Sequence, residues 1–145
     1  MTFKELSKRV KRLKNDINDI VLDAVITHSD EVTDLQVSQL EDGIHPNGKN
    51  ITPKYASDAY AQFKKALGSA APMGTPDLKL TGDFHRGVNV KRSGKYVVID
   101  SSDKKTKSLE EKYDGVFGFA PQNKPTLVNI ILETVQKEVL NAITK

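Results

Sequence analysis

The sequence predicts an α+β domain with a long N-terminal helix, a central β-hairpin or small antiparallel sheet, and packed helices that include a C-terminal one. Three observations predict it. Apolar residues recur at alternating three- and four-residue steps from Phe3 to Ala24. Apolar and polar residues alternate on both sides of Ser93-Gly94, and a second helical stripe follows Pro125. Helices, then a hairpin, then a helix differ from the regular strand–helix alternation of a parallel sheet. At 145 residues the chain has the length of one domain. Within it we expect an extended N-terminal helix over 1–27, a core over 28–122 with a mobile loop at 68–76, and a C-terminal helix over 124–144.

Each element has a local reason. Phe3, Leu6, Val10, Leu13, Ile17, Ile20 and Ala24 form a heptad seam, with Thr2 and Glu5 placed for a capping box. Val21, Leu22 and Val25 widen the apolar face in the second half, where the helix should enter a core. Ser29 or Asp30 can cap a second helix through Leu35 and Leu40, ended by Gly43. Asn47-Gly48, between Ile44 and Ile51, is a hairpin-turn signal. Pro53 opens a third helix, where Ala56, Ala59, Tyr60, Phe63, Ala66 and Leu67 share a face, and Gly68 stops it. Leu78 and Leu80, then Phe84, Arg86, Val88 and Val90, alternate as a strand would, and Tyr96 to Ile99 resume it after a turn at Ser93-Gly94. On that geometry His85, Gly87, Asn89 and Lys91 face away from Phe84, Val88 and Val90. The run "SSDKKTKSLEEKY" supplies a short polar helix, and "DGVFGFAPQN" a turn with two Phe residues. The last helix carries Val128, Ile131, Leu132, Val135, Val139 and Ala142 on one side, expected to face inward.

Composition narrows the function classes. The chain has no Cys, so neither a disulfide framework nor a thiolate zinc site exists. No stretch approaches the roughly 18 uninterrupted apolar residues of a membrane span, and we expect no membrane partner. The net charge of +3 hides two blocks. Residues 1–14 carry six basic side chains against Glu5 alone, and residues 15–42 carry eight acidic side chains with no Lys or Arg. Blocks of this kind speak to docking rather than to fold.

A search for chemistry finds none. Asp83 and His85 point the same way on a strand, but no nucleophile elbow accompanies them. His28, His45 and His85 lie far apart and lack metal-ligand spacing, so we expect no metal and no cofactor. In "DGIHPNGKN" a calcium loop aligned on Gly48 would put Gly43 and His45 where oxygen ligands are needed. The glycines form no phosphate-cradling motif. The chain reads as a protein without enzymatic activity. The candidate functional residues are therefore contacts: Leu6, Val10 and Leu13 along the seam, Lys8, Lys11 and Arg12 on the side of the helix away from it, and His85, Arg86 and Asn89 on the hairpin. The basic helix alternatively suits a small nucleic-acid-binding regulator, since phosphate contact needs only clustered charge. No aromatic residues interleave with that charge to stack on bases.

The segments "QLEDGIHPNGKNI", "YASDAYAQFKKALG", "TPDLKLTGDFHRGVNV" and "LEEKYDGVFGF" together resemble small structural proteins of tailed bacteriophages of the Bacteroidetes-phage type. More distantly they are similar to tail-completion and minor tail proteins, also called virion-morphogenesis proteins. The shared pattern is a Leu-Thr-Gly step into a hairpin, here Leu80, Thr81 and Gly82. A Gly-Lys turn (Gly48, Lys49) and a Tyr-containing helix with a Lys pair (Tyr60, Lys64, Lys65) precede it. The likeness covers about 39–119; the terminal helices match in type only, and "HRG" at 85–87 and the loop at 68–76 depart from the pattern. The resemblance implies a virion subunit, ring- or collar-forming at the head-to-tail neck junction or near the tail, assembled in the bacterial host cytoplasm. It implies as partners copies of the chain in a ring, portal, neck or tail proteins of the same virion, and passing contact with packaged DNA. It implies no catalysis.

Overall fold

The computed structural model describes residues 1–79 and 81–145. Among the described residues, six helices and one two-stranded antiparallel sheet make the α+β architecture expected from the sequence. They are α1 (Phe3–Thr27), α2 (Ser29–Glu41), α3 (Asp58–Ala66), α4 (Asp83–Arg86), β1 (Val88–Ser93), β2 (Tyr96–Ser101), α5 (Thr106–Lys112) and α6 (Lys124–Thr144), with a 3-10 turn at Pro121–Asn123 leading into α6. Leu80 of the Leu-Thr-Gly step lies outside the described residues.

The capping box of α1 forms as expected: Thr2 Oγ1 accepts from the Glu5 amide at 3.2 Å, and the Thr2 amide donates to the Glu5 carboxylate at 2.9 Å. Helix α2 ends at a left-handed glycine, Gly43, with φ +71°. A Cβ there would meet Thr75 Cγ2 at 2.7 Å and Ala71 Cβ at 2.9 Å, so no larger residue fits beneath the 68–77 segment. The turn at 45–48 forms, but with a different center. The Gly48 amide donates to the His45 carbonyl at 2.8 Å, putting Pro46 and Asn47 in the middle; Gly48 alone takes positive φ, +88°. The turn is therefore closed by a left-handed residue at its last position and is not the two-residue kind that needs positive φ at both central residues.

Two expectations fail at α3 and α4. Pro53 does not open α3; Ser57 caps it, accepting from the Tyr60 amide at 3.2 Å. Its apolar face is not the buried one. Ala61 and Lys64 face the core, while Tyr60, Phe63 and Leu67 are exposed. The strand expected through 83–86 is one helical turn, α4. Gly82 takes φ +87°, and Thr81 Oγ1 donates to Asp83 Oδ2 at 3.0 Å and accepts from the Asp83 amide at 3.4 Å, folding the backbone over before any ladder starts. Phe84 and His85 are consequently adjacent on a helix and both buried. The hairpin proper pairs Val88 with Ser101 and Ser93 with Tyr96 around Gly94-Lys95. Val88 opposite Ser101 and Val90 opposite Ile99 face the domain interior.

Leu40, Ile51, Phe84, Tyr113 and Val116 form the core, with Phe117 stacked on Phe84 at a ring separation of 5.7 Å. Two buried glutamines extend it. Gln39 donates to the Gly118 carbonyl and accepts from the Ala120 amide and from Asn123 Nδ2, each at 2.8 Å, and Gln36 accepts from the Gly118 amide at 2.8 Å. Residues 68–76 form neither helix nor strand. The lysine pair of α3 ties them down. Lys65 Nζ donates to the carbonyls of Ser69 (3.2 Å) and Ala71 (2.9 Å), and Lys64 Nζ pairs with buried Asp77 at 2.8 Å while reaching the Lys79 carbonyl. Asp77 also accepts from Ser69 Oγ (2.8 Å) and the Lys79 amide (3.0 Å), holding Leu78 between them at φ +58°.

Replacing Gln39 with Leu strands the Ala120 amide and the Gly118 carbonyl inside the core. The expected loss is about 1–3 kcal/mol per unpaired group in chemical denaturation. Asp77→Asn or Lys64→Met leaves one half of a buried pair unmatched and should cost about 3–5 kcal/mol, whereas the double variant Lys64→Met/Asp77→Leu should recover most of that loss. Equal losses in the single and double variants would disprove the pairing.

Candidate interaction surface

Helices α1 and α6 lie antiparallel along one side of the domain. Arg9 Nη1 donates to the Ile143 carbonyl at 3.0 Å near one end, and His28 Nε2 meets Thr134 Oγ1 at 2.7 Å toward the other. Their contact leaves apolar surface over. On α1, Leu6, Leu13 and Ile20 are partly buried, while Phe3 (91% exposed), Val10 (42%) and Ile17 remain open. These rows differ by four residues, about 40° around the helix, so the open row flanks the covered one. On α6, Leu127, Ile130, Thr134 and Asn141 are partly covered, while Val128 (51% exposed), Leu132 and Leu140 (61%) stay open. The inward stripe expected on α6 forms in half: Ile131, Val135 and Val139 are partly buried, while Val128, Leu132 and Ala142 are exposed and no residue of α6 is fully buried. Helical geometry in an antiparallel pair places both open rows on the same side.

Lys8, Lys11 and Arg12 are exposed on α1 and enter no ion pair among the described residues, and the same holds for Asp30, Asp34 and Asp42 in α2 and just after it. Arg92, on β1, engages both Asp19 and Asp23, pinning the hairpin to the acidic half of α1. The structure therefore brings Leu6, Val10, Leu13, Lys8, Lys11 and Arg12 onto one helix with open apolar and basic surface.

It does not bring the hairpin candidates to them. His85 is 6% exposed and belongs to the core, because α4 replaces the strand that would have turned it outward. Neither ring nitrogen has a hydrogen-bond partner, and burial pushes its pKa down, with the Lys79 and Lys64 charges adding to that and Glu41 and Asp77 opposing it. Arg86 is exposed but spent on Asp83 and the Thr81 carbonyl. Asp83 is held below the usual carboxylate range by the Thr81 hydroxyl and then by Arg86. Asn89 turns back to the Gly87 carbonyl at 3.1 Å. Asp83 and His85 therefore share a helical turn without sharing a site.

Sequence reasoning missed the glutamine clamp and the Lys64–Asp77 pair. The signal for the first was present: Gln36 and Gln39 occupy the same helical stripe as Val32 and Leu40, where polar residues must find partners. For Asp77, burial raises the pKa, but the Lys64, Lys79 amide and Ser69 hydrogen bonds outweigh it and leave it lowered. No group of three or more His, Asp or Glu among the described residues is arranged to hold a metal ion, and no helix among them is long and apolar enough to cross a membrane.

The His85 environment sets a pH dependence. A folded-state pKa below the unfolded value near 6.5 favors the neutral ring, so its contribution is present above that pH and is lost as pH falls below it. Denaturation midpoints should decline from pH 7 to pH 5, and His85→Leu should flatten that segment. A wild-type slope unchanged by the substitution would exclude His85 as its source. Against known proteins, no family model, no curated protein and no solved structure matches this chain.

Proposed function

We propose that the chain is a structural subunit of a tailed-phage virion, working at the head-to-tail junction or tail by protein–protein contact. The observation that carries this reading is the apolar face shared by α1 and α6, on a helix whose other side carries unpaired basic side chains. Contiguous apolar surface of this kind is characteristic of an interface. The surrounding chemistry supports it: on the hairpin side Asp83, His85, Arg86 and Asn89 are absorbed by core contacts, ion pairs and backbone hydrogen bonds, which is the economy of a scaffold. The resemblance read from the motifs over residues 39–119 is what points this reading toward a phage particle.

The same exposed Lys8, Lys11 and Arg12 favor a second reading, in which the isolated chain binds duplex nucleic acid through phosphate contacts that weaken steeply with salt.

The triple variant Lys8→Glu/Lys11→Glu/Arg12→Glu separates the two. All three side chains are exposed, so the thermal midpoint should stay within a few degrees of wild type. Particles built with it should fail at head-to-tail joining, leaving filled heads and free tails on electron micrographs. Normal yields of tailed particles would end the docking role of this helix, and salt-sensitive DNA binding by the wild type, lost in the variant, would establish the alternative.

A further inference from the structure

We infer that the surface walled by Tyr55, Tyr60 and Tyr113 binds single-stranded nucleic acid, with bases stacked on its rings and phosphates met by Lys54, Lys105 and Lys112. The site uses no residue of α1 and goes beyond a subunit that works by protein contact alone.

Local structure brings the three tyrosines together. The Tyr55 amide donates to the Gly74 carbonyl at 2.9 Å, Ser57 caps α3 so that Tyr60 falls in its first turn, and Tyr113 ends α5. The Tyr55 and Tyr60 rings meet edge to face, 4.9 Å apart at 88°, and Phe63 continues the row 6.0 Å from Tyr60. Tyr60 is 37% exposed and Phe63 50%. These rings have no core to enter, because Lys64 holds the inward side of α3, and a contiguous aromatic row left in water marks a binding surface.

The charge around the rings has one sign. The three tyrosines wall two adjoining clefts, of about 560 Å³ and about 200 Å³. Lys54 and Lys112 line the larger; Lys64, Lys79 and Lys105 line the smaller. Among the described residues no carboxylate lines either one, and Glu110 and Glu111 of α5 stay outside both. Lys64 is committed to Asp77 and Lys79 to Glu41. Lys54 and Lys112 enter no ion pair among the described residues, and Lys105 approaches Asp103 only at 4.0 Å. Lys112 Nζ lies 5.3 Å from the center of the Tyr113 ring, so cation and ring already share one place.

That combination names the occupant. Single strands are held by cations that follow the backbone and by rings that take the π-face every base offers. A duplex shows a protein only the edges of its bases and leaves the rings unused. An acidic peptide satisfies the lysines alone, and its carboxylates are set against the negative faces of the rings.

The test uses the full chain and an oligothymidylate of about 12 nucleotides, within the site size of such grooves. The chain has no Trp and four Tyr, of which only Tyr96 lies elsewhere, so tyrosine emission reports on the site directly. Binding should quench that emission. Tyr60→Leu should weaken binding about 10-fold, while Tyr60→Phe, which keeps a ring, should bind as the wild type does. Lys54→Gln/Lys112→Gln replaces two exposed side chains, so the thermal midpoint should hold. That pair should also flatten the slope of log K against log salt by about 1.4, at about 0.7 for each phosphate contact on a single strand. Absence of binding at low salt overturns the inference, and so does full-strength binding in Tyr60→Leu. Loss of binding in Lys8→Glu/Lys11→Glu/Arg12→Glu overturns it by moving the contact to α1. Competition by polyglutamate or by duplex DNA as strong as that of unlabeled oligothymidylate overturns it by showing that charge alone is read.

Discussion

The position of everything at the open face depends on two glutamines of α2. Gln36 and Gln39 reach out of a helix otherwise anchored by Val32 and Leu40 and take hold of backbone between Gly118 and Asn123. Those residues are the approach to α6. A buried amide makes demands that an apolar side chain does not, since each of its polar atoms must find a partner at a set distance and angle. Gln39 meets them on the Gly118 carbonyl, the Ala120 amide and the Asn123 side chain, and Gln36 Oε1 takes the Gly118 amide while its Nε2 is left without a partner; the clamp so formed fixes where α6 starts, and α6 then runs back along α1. Apolar contact between the two long helices could be satisfied at several neighboring registers; the clamp leaves one.

A second polar constraint works at the opposite side of the molecule. Lys64 and Asp77 sit with almost no exposed side-chain surface, in a position where a leucine and a small apolar residue would serve the core as well. What the ion pair adds is direction. Asp77 gathers Ser69, the Lys79 amide and Lys64, and so shapes the segment over 68–79, which has no ladder or helix of its own. The left-handed backbone at Leu78 is tolerated within that web. The outward turn of Tyr60, Phe63 and Leu67 follows from the same pair, because placing Lys64 inward rotates the aromatic side of α3 toward water.

Long-period features were legible in the sequence. The α1 seam, its capping box, the stop at Gly43, the hairpin turn at Gly94 and the span of α6 all rest on patterns repeated over many residues or on a glycine at a required φ. The misreadings share one cause, which is a local pattern overruled by a contact distant in sequence. Arg86, Val88 and Val90 alternate as a strand would, yet Thr81 and Asp83 bond to each other first and wind the chain into a turn. Helix α3 displays a clear apolar face, yet Asp77 claims Lys64 from the other side. The seam through Leu6, Val10 and Leu13 was visible as a stripe. That a neighboring helix would cover half of it and leave the rest could not be read without knowing where α6 lies.

The antiparallel course of α1 and α6 has a practical corollary. Because Arg9 touches Ile143, residues 1 and 145 emerge at the same end of the helix pair, beside Phe3 and the exposed end of the apolar row. Any fusion carried at either terminus, whether affinity tag, fluorescent protein or purification partner, is delivered onto the edge of that face and competes for it. The hairpin tip is the natural alternative. Around Gly94 a side chain would meet nothing within 4 Å, and the flanking Ser93 and Lys95 are exposed. A short epitope placed there reports on the protein while leaving the helices free to engage whatever they engage.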